Sequence, residues 1–306
     1  LKGKEYKLLD SYFPTIDAEN PYELSKEEKE VMERLVSAFV SCEKLQSHIR
    51  FLLKKGSMYK IFNGNLLYHG CIPMNEDGTL KEVQIFEKYY KGKALYDVLE
   101  SYVRKAFMAR DGKEKERGKD ILWYIWTSPN SPLFGKTKMA TFERYFLEEK
   151  ETHQEIKNPY YNFLEDDDAA ERIFEEFQVK GEERHIVNGH VPVHHTSGES
   201  PIKCKGKILV IDGGFSRAYQ KETGIAGYTL IYNSWGMILA AHEPFTSTQD
   251  AITKESDILS DSILVKRVTE RKNVGATDTG AKLKERIAEL KELLDAYRNG
   301  LLVEKL

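Results

Sequence analysis

Half of the chain's eight histidines lie in one short stretch, residues 185–195, which reads HIVNGHVPVHH. Three explanations are open: a metal site, a general base, or a polar loop that is rich in imidazole. Neutral imidazole is the commonest metal ligand in proteins, and it is also a general base near neutral pH. This stretch is therefore the first candidate for chemistry.

Two segments share one local form, in which a short apolar strand runs into a histidine beside a glycine. LLYHGCIP holds His69, and IVNGHVPV holds His190. A histidine just after a strand can project its ring into a crevice at the edge of a sheet, and glycine lets the backbone approach a bound ion. The shared form predicts two imidazole ligands that converge on one metal ion. The alternative is that each histidine only bonds a carbonyl group where its strand ends.

The periodicity of the surrounding sequence predicts the elements that position these histidines. Ser25 and Glu28 form a capping box at the start of a helix that spans Leu24–Gly56. Asn63-Gly64 is a turn signal between two short strands, and RHIVNGH, KILVIDGG and a hairpin that turns at Asn233–Gly236 supply further strands. Helical patterns cover residues 94–110, 139–157 and 164–179 and the amphipathic segment that stops at Gly300. Residues 110–120 resemble a charged linker, and residues 121–135 form an apolar run broken by a loop.

Strands and helices are thus mixed, and several strands end in glycine-containing loops. This pattern predicts an α/β fold with the chemistry at the strand ends. His185 lies inside a predicted strand, which favours a structural role for its ring.

Composition excludes several classes of protein. The formal net charge of −3 argues against a nucleic-acid-binding protein. No apolar run is long enough to cross a bilayer, and the first residues lack the apolar core of a signal peptide. Three widely spaced cysteines fit reduced thiols. We therefore expect a soluble cytoplasmic protein with neither a nucleic-acid nor a membrane partner, and with homo-oligomerisation left open.

The two histidine segments also resemble known motifs. LLYHGCIPM and VNGHVPV are similar to the last two metal-ligand motifs of the calcineurin-like metallophosphoesterases, and LWYIWTSPNSPLFGK resembles that superfamily's Trp-rich strand and the loop after it. More narrowly, LFGKTKMATFERYF, NGHVPV and ILVIDGGFSRAYQKETGIAGYTLIYNSWG resemble the class III fructose-1,6-bisphosphatases of bacteria. The likeness runs through roughly residues 24–245.

This resemblance implies part of an αββα sandwich with added helices. Residues 1–245 would form the C-terminal part of the catalytic domain with helical insertions, and residues 246–306 an extension with an amphipathic helix. The implied reaction is the hydrolysis of fructose 1,6-bisphosphate to fructose 6-phosphate and phosphate, in gluconeogenesis. The implied cofactor is manganese in a two-metal site, although imidazole ligands by themselves also permit zinc or iron.

The resemblance makes His69 and His190 ligands of the same ion. His194 is a further candidate, either as a ligand or as a contact to phosphate. Asp212, at the end of the next predicted strand, is either part of the metal site or a cap of its loop.

The superfamily's remaining metal-ligand motifs, Asp-x-His, Gly-Asp and Gly-Asn-His, occur nowhere in this sequence, which starts at Leu1. Their absence predicts that this chain is the C-terminal portion of a longer enzyme, with the other ligands on a preceding segment.

Recognition of a sugar bisphosphate also needs cations and backbone amides away from the metals. Arg217 is the first candidate because Gly213-Gly214 before it can form an anion-binding turn. Lys136, which follows a loop rich in Pro, Ser and Gly, is the second.

Two other functions remain open. The same scaffold could serve a phosphatase for phosphoproteins or nucleotides, because a fold does not determine its substrate. Alternatively, the chain is a catalytically inactive assembly or regulatory module whose final helix packs against another subunit. Failure to bind metal would favour the second alternative.

Overall fold

The computed structural model describes residues 1, 3–110, 112–181, 183–213, 216, 220–244, 247–255 and 260–303. The chain forms two compact units. One unit, here called the helical unit, comprises Leu1–Met58 and Cys71–Tyr161; the other, the sheet unit, comprises Tyr59–Gly70 and Asn162–Leu306. The domain boundary predicted at 245/246 lies outside the described residues.

The mixture of helices and strands confirms the predicted α/β class. In chain order the helices are α1 (Lys26–Ser41), α2 (Glu43–Lys55), α3 (Gly92–Met108), α4 (Lys113–Thr127), α5 (Thr141–Phe146), α6 (Asp167–Glu176), α7 (Gln220–Thr223), α8 (Thr248–Lys254) and α9 (Asp278–Arg298). The strands are β1 (Tyr59–Phe62), β2 (Asn65–Tyr68), β3 (Val83–Ile85), β4 (Lys88–Tyr90), β5 (His185–Asn188), β6 (Ile202–Lys203), β7 (Ile208–Val210), β8 (Gly227–Asn233), β9 (Gly236–His242) and β10 (Ser260–Arg267).

The helical unit begins as the sequence predicts but departs from it at one point. The Ser25 hydroxyl accepts from the Glu28 N–H, and the Glu28 carboxylate accepts from the Ser25 N–H, which confirms the capping box. The single helix predicted up to Gly56 is wrong, because Cys42 has an extended backbone (ψ 100°) and separates α1 from α2. Arg104 of α3 then holds the end of α2 by donating to the Gly56 carbonyl at 2.9 Å.

Most of the predicted charged linker and the start of the apolar run after it form helix α4 instead. Ile121 and Ile125, one helical turn apart, are buried in the same cluster as Leu95 and Leu99 of α3, whereas Trp123 is exposed. Burial therefore follows the helical period, and the likeness to a Trp-rich strand does not hold. A short apolar run does not by itself distinguish a strand from a helix.

The helix predicted over residues 139–157 is mostly absent. Only α5 and a 3-10 turn at Lys150–His153 form there. By contrast, α6 lies inside its predicted range, and Asp166 caps it by accepting from the Ala169 N–H at 2.7 Å.

The sheet unit is built around a five-stranded sheet with the order β1-β2-β5-β7-β6. β1 and β2 form an antiparallel hairpin, and its turn residues Asn63 and Gly64 have φ of 50° and 76°, as a two-residue type I′ turn requires. β2, β5 and β7 run parallel to one another. Their carboxyl ends consequently lie at one edge of the sheet.

A second sheet with the order β10-β9-β8 packs on the first. Val187 of β5, Leu209 of β7 and Met237 of β9 form one buried cluster that joins the two sheets. The predicted turn at Asn233–Gly236 is confirmed between β8 and β9. The predicted final helix is confirmed as α9, although Gly280 is its only buried residue.

Among the described residues, none of the helices combines the length and the apolar character that crossing a bilayer requires.

The buried β7 is expected to carry much of the sheet unit's stability. Leu209 is 0% exposed, so Leu209→Ala removes buried apolar surface and leaves a cavity, and we expect a loss of about 2–5 kcal/mol in the free energy of unfolding. Leu67→Ala in β2 is the matched control because Leu67 is 38% exposed, and its cost should stay below about 1 kcal/mol. Urea unfolding followed by circular dichroism measures both, and equal losses would contradict this packing.

Candidate functional site

The two histidines singled out by their local form lie next to each other in the sheet unit. His69 Nε2 and His190 Nδ1 are 3.0 Å apart. The ring centroids are 4.9 Å apart and the rings are tilted by 62°. The structure therefore brings together two residues that are far apart in the sequence.

The register of β2 against β5 creates this proximity. Leu66 and Leu67 pair with Ile186 and Val187 in parallel. The ladder continues beyond the strands, because the Gly189 N–H donates to the His69 carbonyl at 2.9 Å. His69 and His190, which follows Gly189, thus lie together at the carboxyl edge of the sheet.

Asp212 reaches the same edge from β7. Asn188 of β5 pairs with Val210, and the next N–H along β7, that of Ile211, donates to the Asn188 carbonyl at 2.9 Å. A Cβ atom added at Gly189 would lie 3.7 Å from Asp212 Oδ2, so the carboxylate stands directly beside the loop that carries His190. Asp212 thus lies at the same edge as the histidine pair, and the choice between its two predicted roles stays open.

The electrostatics favour a neutral imidazole at His69. The residue as a whole is exposed, yet partial removal of its ring from water lowers its pKa, and the Asp212 carboxylate opposes this shift more weakly. An imidazole with a lowered pKa is uncharged at neutral pH and keeps a free lone pair. His69 is accordingly in the protonation state that a metal ligand needs.

His190 is held in a left-handed backbone conformation, with φ of 70°. Residues other than glycine adopt this region rarely, and holding one there costs on the order of 1–3 kcal/mol. The Val193 N–H, which donates to the Asp212 carbonyl at 2.7 Å, helps to fix the loop after His190. Conformations of this kind cluster at functional sites, which supports a role for the His190 ring beyond packing.

Asn188 is a site residue that the sequence analysis missed. It is 1% exposed, and its Nδ2 donates to the Gly70 carbonyl at 3.1 Å, which ties the end of β5 to the loop after His69. Its Oδ1 is buried and has no hydrogen-bond donor among the described residues. Its amide side chain stands directly before Gly189-His190 and after two β-branched residues, and this placement is the sequence feature that could have indicated it.

The other histidines of the stretch have different surroundings. His194 and His195 are exposed, and the His194 N–H donates to Glu199 Oε2 at 3.0 Å. Across the described ranges, no group of three or more His, Cys, Asp or Glu side chains is arranged to hold a metal ion. The role of His194 stays a prediction. His185 is buried in β5, in agreement with the structural role expected for it.

The predicted phosphate contacts are divided between the units. Arg217 and Gly214 lie outside the described residues. Gly213 is buried, and a Cβ atom there would lie 2.6 Å from the Gly227 Cα, so close packing already explains this glycine. Lys136 belongs to the helical unit and forms an ion pair with Glu155 at 3.3 Å.

The chain matches known proteins over its whole length. The family model described as Firmicute fructose-1,6-bisphosphatase matches residues 1–299. The chain is similar to proteins named fructose-1,6-bisphosphatase class 3. It is 57% identical over 305 residues to that of Clostridioides difficile (strain 630). It is 54% identical over 306 residues to that of Clostridium botulinum (strain Loch Maree / Type A3). These alignments cover 99% and 100% of this chain but 46% of each relative, so the chain spans about half their length. No solved structure matches the chain.

The two glycines near the site should respond differently to alanine. Gly213→Ala forces a Cβ atom to within 2.6 Å of the Gly227 backbone, and overpacking of this kind costs about 1–3 kcal/mol of unfolding free energy. Gly189→Ala is the matched control, because its nearest contact, to the Asp212 Cβ at 3.4 Å, is an ordinary one. Thermal unfolding of both variants measures the difference. A Gly213→Ala protein as stable as Gly189→Ala would contradict the close approach.

Proposed function

The chain belongs to the Firmicute fructose-1,6-bisphosphatase family, and from this premise we propose that it takes part in the metal-dependent hydrolysis of fructose 1,6-bisphosphate. The products would be fructose 6-phosphate and inorganic phosphate. The names of the relatives support the substrate, and the His69–His190 pair supports the metal dependence. A place in gluconeogenesis and in the cytoplasm belongs to the same proposal.

The distance between the two ring nitrogens is the observation that carries the metal proposal. Two imidazole nitrogens that bind one Zn²⁺ ion at about 2.0–2.1 Å lie roughly 2.8–3.4 Å apart for bond angles between about 90° and 110°. The observed separation of 3.0 Å falls inside this interval. His69 and His190 therefore fit as two ligands of one ion without a change in the position of their strands.

The same geometry sets a proton requirement. The hydrogen bond between two neutral rings needs a hydrogen on either His69 Nε2 or His190 Nδ1, whereas an ion needs a lone pair on both. One ring must consequently move its hydrogen to its other nitrogen before both can bind. The lowered pKa of His69 favours this state, because it keeps that ring from being doubly protonated.

A bound metal supplies Lewis-acid polarisation of a phosphoryl oxygen and lowers the pKa of water. We propose Mn²⁺ from the family resemblance, and the imidazole pair also suits zinc or iron. Among the chain's own residues, His69 and His190 would bind the ion, and Asn188 would tie together the two strand ends that carry them. Asp212 would add negative charge beside the ion.

Phosphate recognition by Lys136, Gly213, Gly214 and Arg217 is part of this proposal. Gly213 directly follows Asp212 at the edge that carries the histidine pair, so the backbone after β7 leads into the region where a phosphoryl group would bind. Arg217 would add the cation that pairs with a phosphate in a forked geometry.

An assembly role is the second candidate. It is favoured by the apolar stripe of α9, because Leu283, Ile287 and Leu290 are 51%, 52% and 49% exposed. The two candidates differ in the behaviour of the chain toward metal, since an assembly module does not need the imidazole pair.

Binding of Mn²⁺ should depend on the pair and not on the neighbouring loop. His69→Ala and His190→Ala each remove one ligand, and we expect each to weaken Mn²⁺ binding by at least about tenfold. His195→Ala is the matched control, because this exposed histidine lies in the same stretch but is not part of the pair. The electron paramagnetic resonance signal of free Mn²⁺ measures the affinity. Undetectable binding by the unaltered chain would favour the assembly role.

Hydrolysis is best tested in a chimera in which this chain replaces the matching region of the Clostridioides difficile relative. With Mn²⁺, we expect phosphate release from fructose 1,6-bisphosphate that falls on the order of a hundredfold or more with His190→Ala, since a metal supplies several kcal/mol of stabilisation. His195→Ala should retain the rate. An inactive chimera that still folds would contradict the proposed function. Release by this chain alone would instead show that its own residues suffice for hydrolysis.

A further inference from the structure

The sheet unit has a second site at the edge opposite to the histidine pair. A cavity of about 230 Å³ lies at the amino ends of β5 and β7, where His185 begins one strand and Lys207 precedes the other. His190 and Asp212 follow the carboxyl ends of the same two strands. The cavity is therefore separate from the proposed metal site.

The lining of this cavity carries an excess of positive charge. Four cationic side chains line it, and only two carboxylates, Glu171 and Glu183, do so. The cations are Arg184, Lys205, Lys207 and Lys266. A concave site with walls mainly of one sign concentrates counter-ions of the opposite sign.

The two carboxylates are already engaged by neighbouring cations. Glu171 pairs with Arg184 at 2.6 Å and with Lys207 at 2.8 Å. Glu183 pairs with Lys272 and lies 3.9 Å from Lys266. These hydrogen bonds, led by those from Lys207 and Lys272, lower the pKa of the two carboxyl groups, so both stay ionised at neutral pH. Asp167, which pairs with Lys207 at 2.6 Å, and Lys272 add one charge of each sign beside the lining, so the surplus of two cations is retained.

Lys205 is the cation best placed to serve a ligand. It is exposed, and within the described part of the chain no carboxylate forms an ion pair with it, while the nearby Asp167 carboxylate interacts with its charge from farther away. The turn that carries it has three successive residues with positive φ, Cys204 at 46°, Lys205 at 52° and Gly206 at 93°. This turn brings Lys205 and Gly206 into the cavity lining.

His185 adds a group that can hydrogen-bond without adding charge. Burial lowers the pKa of its ring, which the nearby Glu183 carboxylate opposes, so the imidazole is neutral at neutral pH. A neutral ring offers one N–H donor and one acceptor. The lining thus combines charged and neutral donors.

We propose that this cavity binds a small phosphate dianion, either free or as a monoester with a body of a few carbon atoms. Arginine and lysine donors match the phosphoryl oxygens, and the net surplus of two cations matches a charge of about −2. The volume of about 230 Å³ lies below the roughly 300 Å³ from which pockets for larger ligands start. The site is independent of the proposed function.

The first test is calorimetric titration with inorganic phosphate in the presence of a chelator, so that a metal at the histidine pair does not contribute. We expect saturable binding that weakens at least about tenfold with Lys205→Glu. Lys282→Glu on α9 is the matched control, because it changes the charge equally at an exposed lysine outside the cavity lining. His190→Ala should also leave the affinity unchanged.

The second readout is the nuclear magnetic resonance spectrum of the histidine-labelled chain, in which the proposal expects phosphate to shift the His185 ring signal and not that of His190. Glycerol 3-phosphate binding at least as tightly as phosphate assigns a monoester, and binding of phosphate alone assigns the free ion. The proposal is overturned by an absence of saturable binding, by equal losses in Lys205→Glu and Lys282→Glu, or by a loss in His190→Ala.

Discussion

The parallel register of β2, β5 and β7 is the constraint on which the candidate metal site depends. Side chains alternate between the faces of a sheet, so a shift of one residue would turn either histidine away from the other. Buried Leu66, Ile186 and Leu209 hold the register, because each is at most 1% exposed and none can leave the core without a large cost. The Asn188 side chain adds a polar lock at the strand end by donating to the Gly70 carbonyl.

The sequence predicted the parts of this arrangement that local interactions decide. Asn63-Gly64 predicts a turn because Asn and Gly readily adopt the positive φ that a two-residue turn needs. The contiguous β-branched residues before His190 predict a strand. The pairing of β2 with β5 is not a local property, so the shared His-Gly form could only suggest that the histidines meet. Helix α4 was missed for a related reason, since its packing on α3 decides the conformation of an apolar run that local sequence leaves open. Close approach of the Gly227 backbone explains Gly213, a contact that sequence spacing does not reveal.

β5 lies between two polar sites, and all four of its residues are buried. At its amino end His185 borders a cationic cavity, and just beyond its carboxyl end His190 faces His69. The same residue type thus has two different environments on one short strand. The buried Ile186 and Val187 lie between the two sites. The proposed metal site and the proposed anion site would thus lie at opposite edges of one sheet.

The central claim is that His69 and His190 bind the same metal ion. Pulsed electron paramagnetic resonance of the Mn²⁺-loaded chain, with ¹⁵N-labelled histidine, counts the imidazole nitrogens coupled to the ion. We expect two coupled nitrogens in the unaltered chain and one in each of His69→Ala and His190→Ala. A single coupled nitrogen in the unaltered chain, or couplings that survive both substitutions, would contradict it.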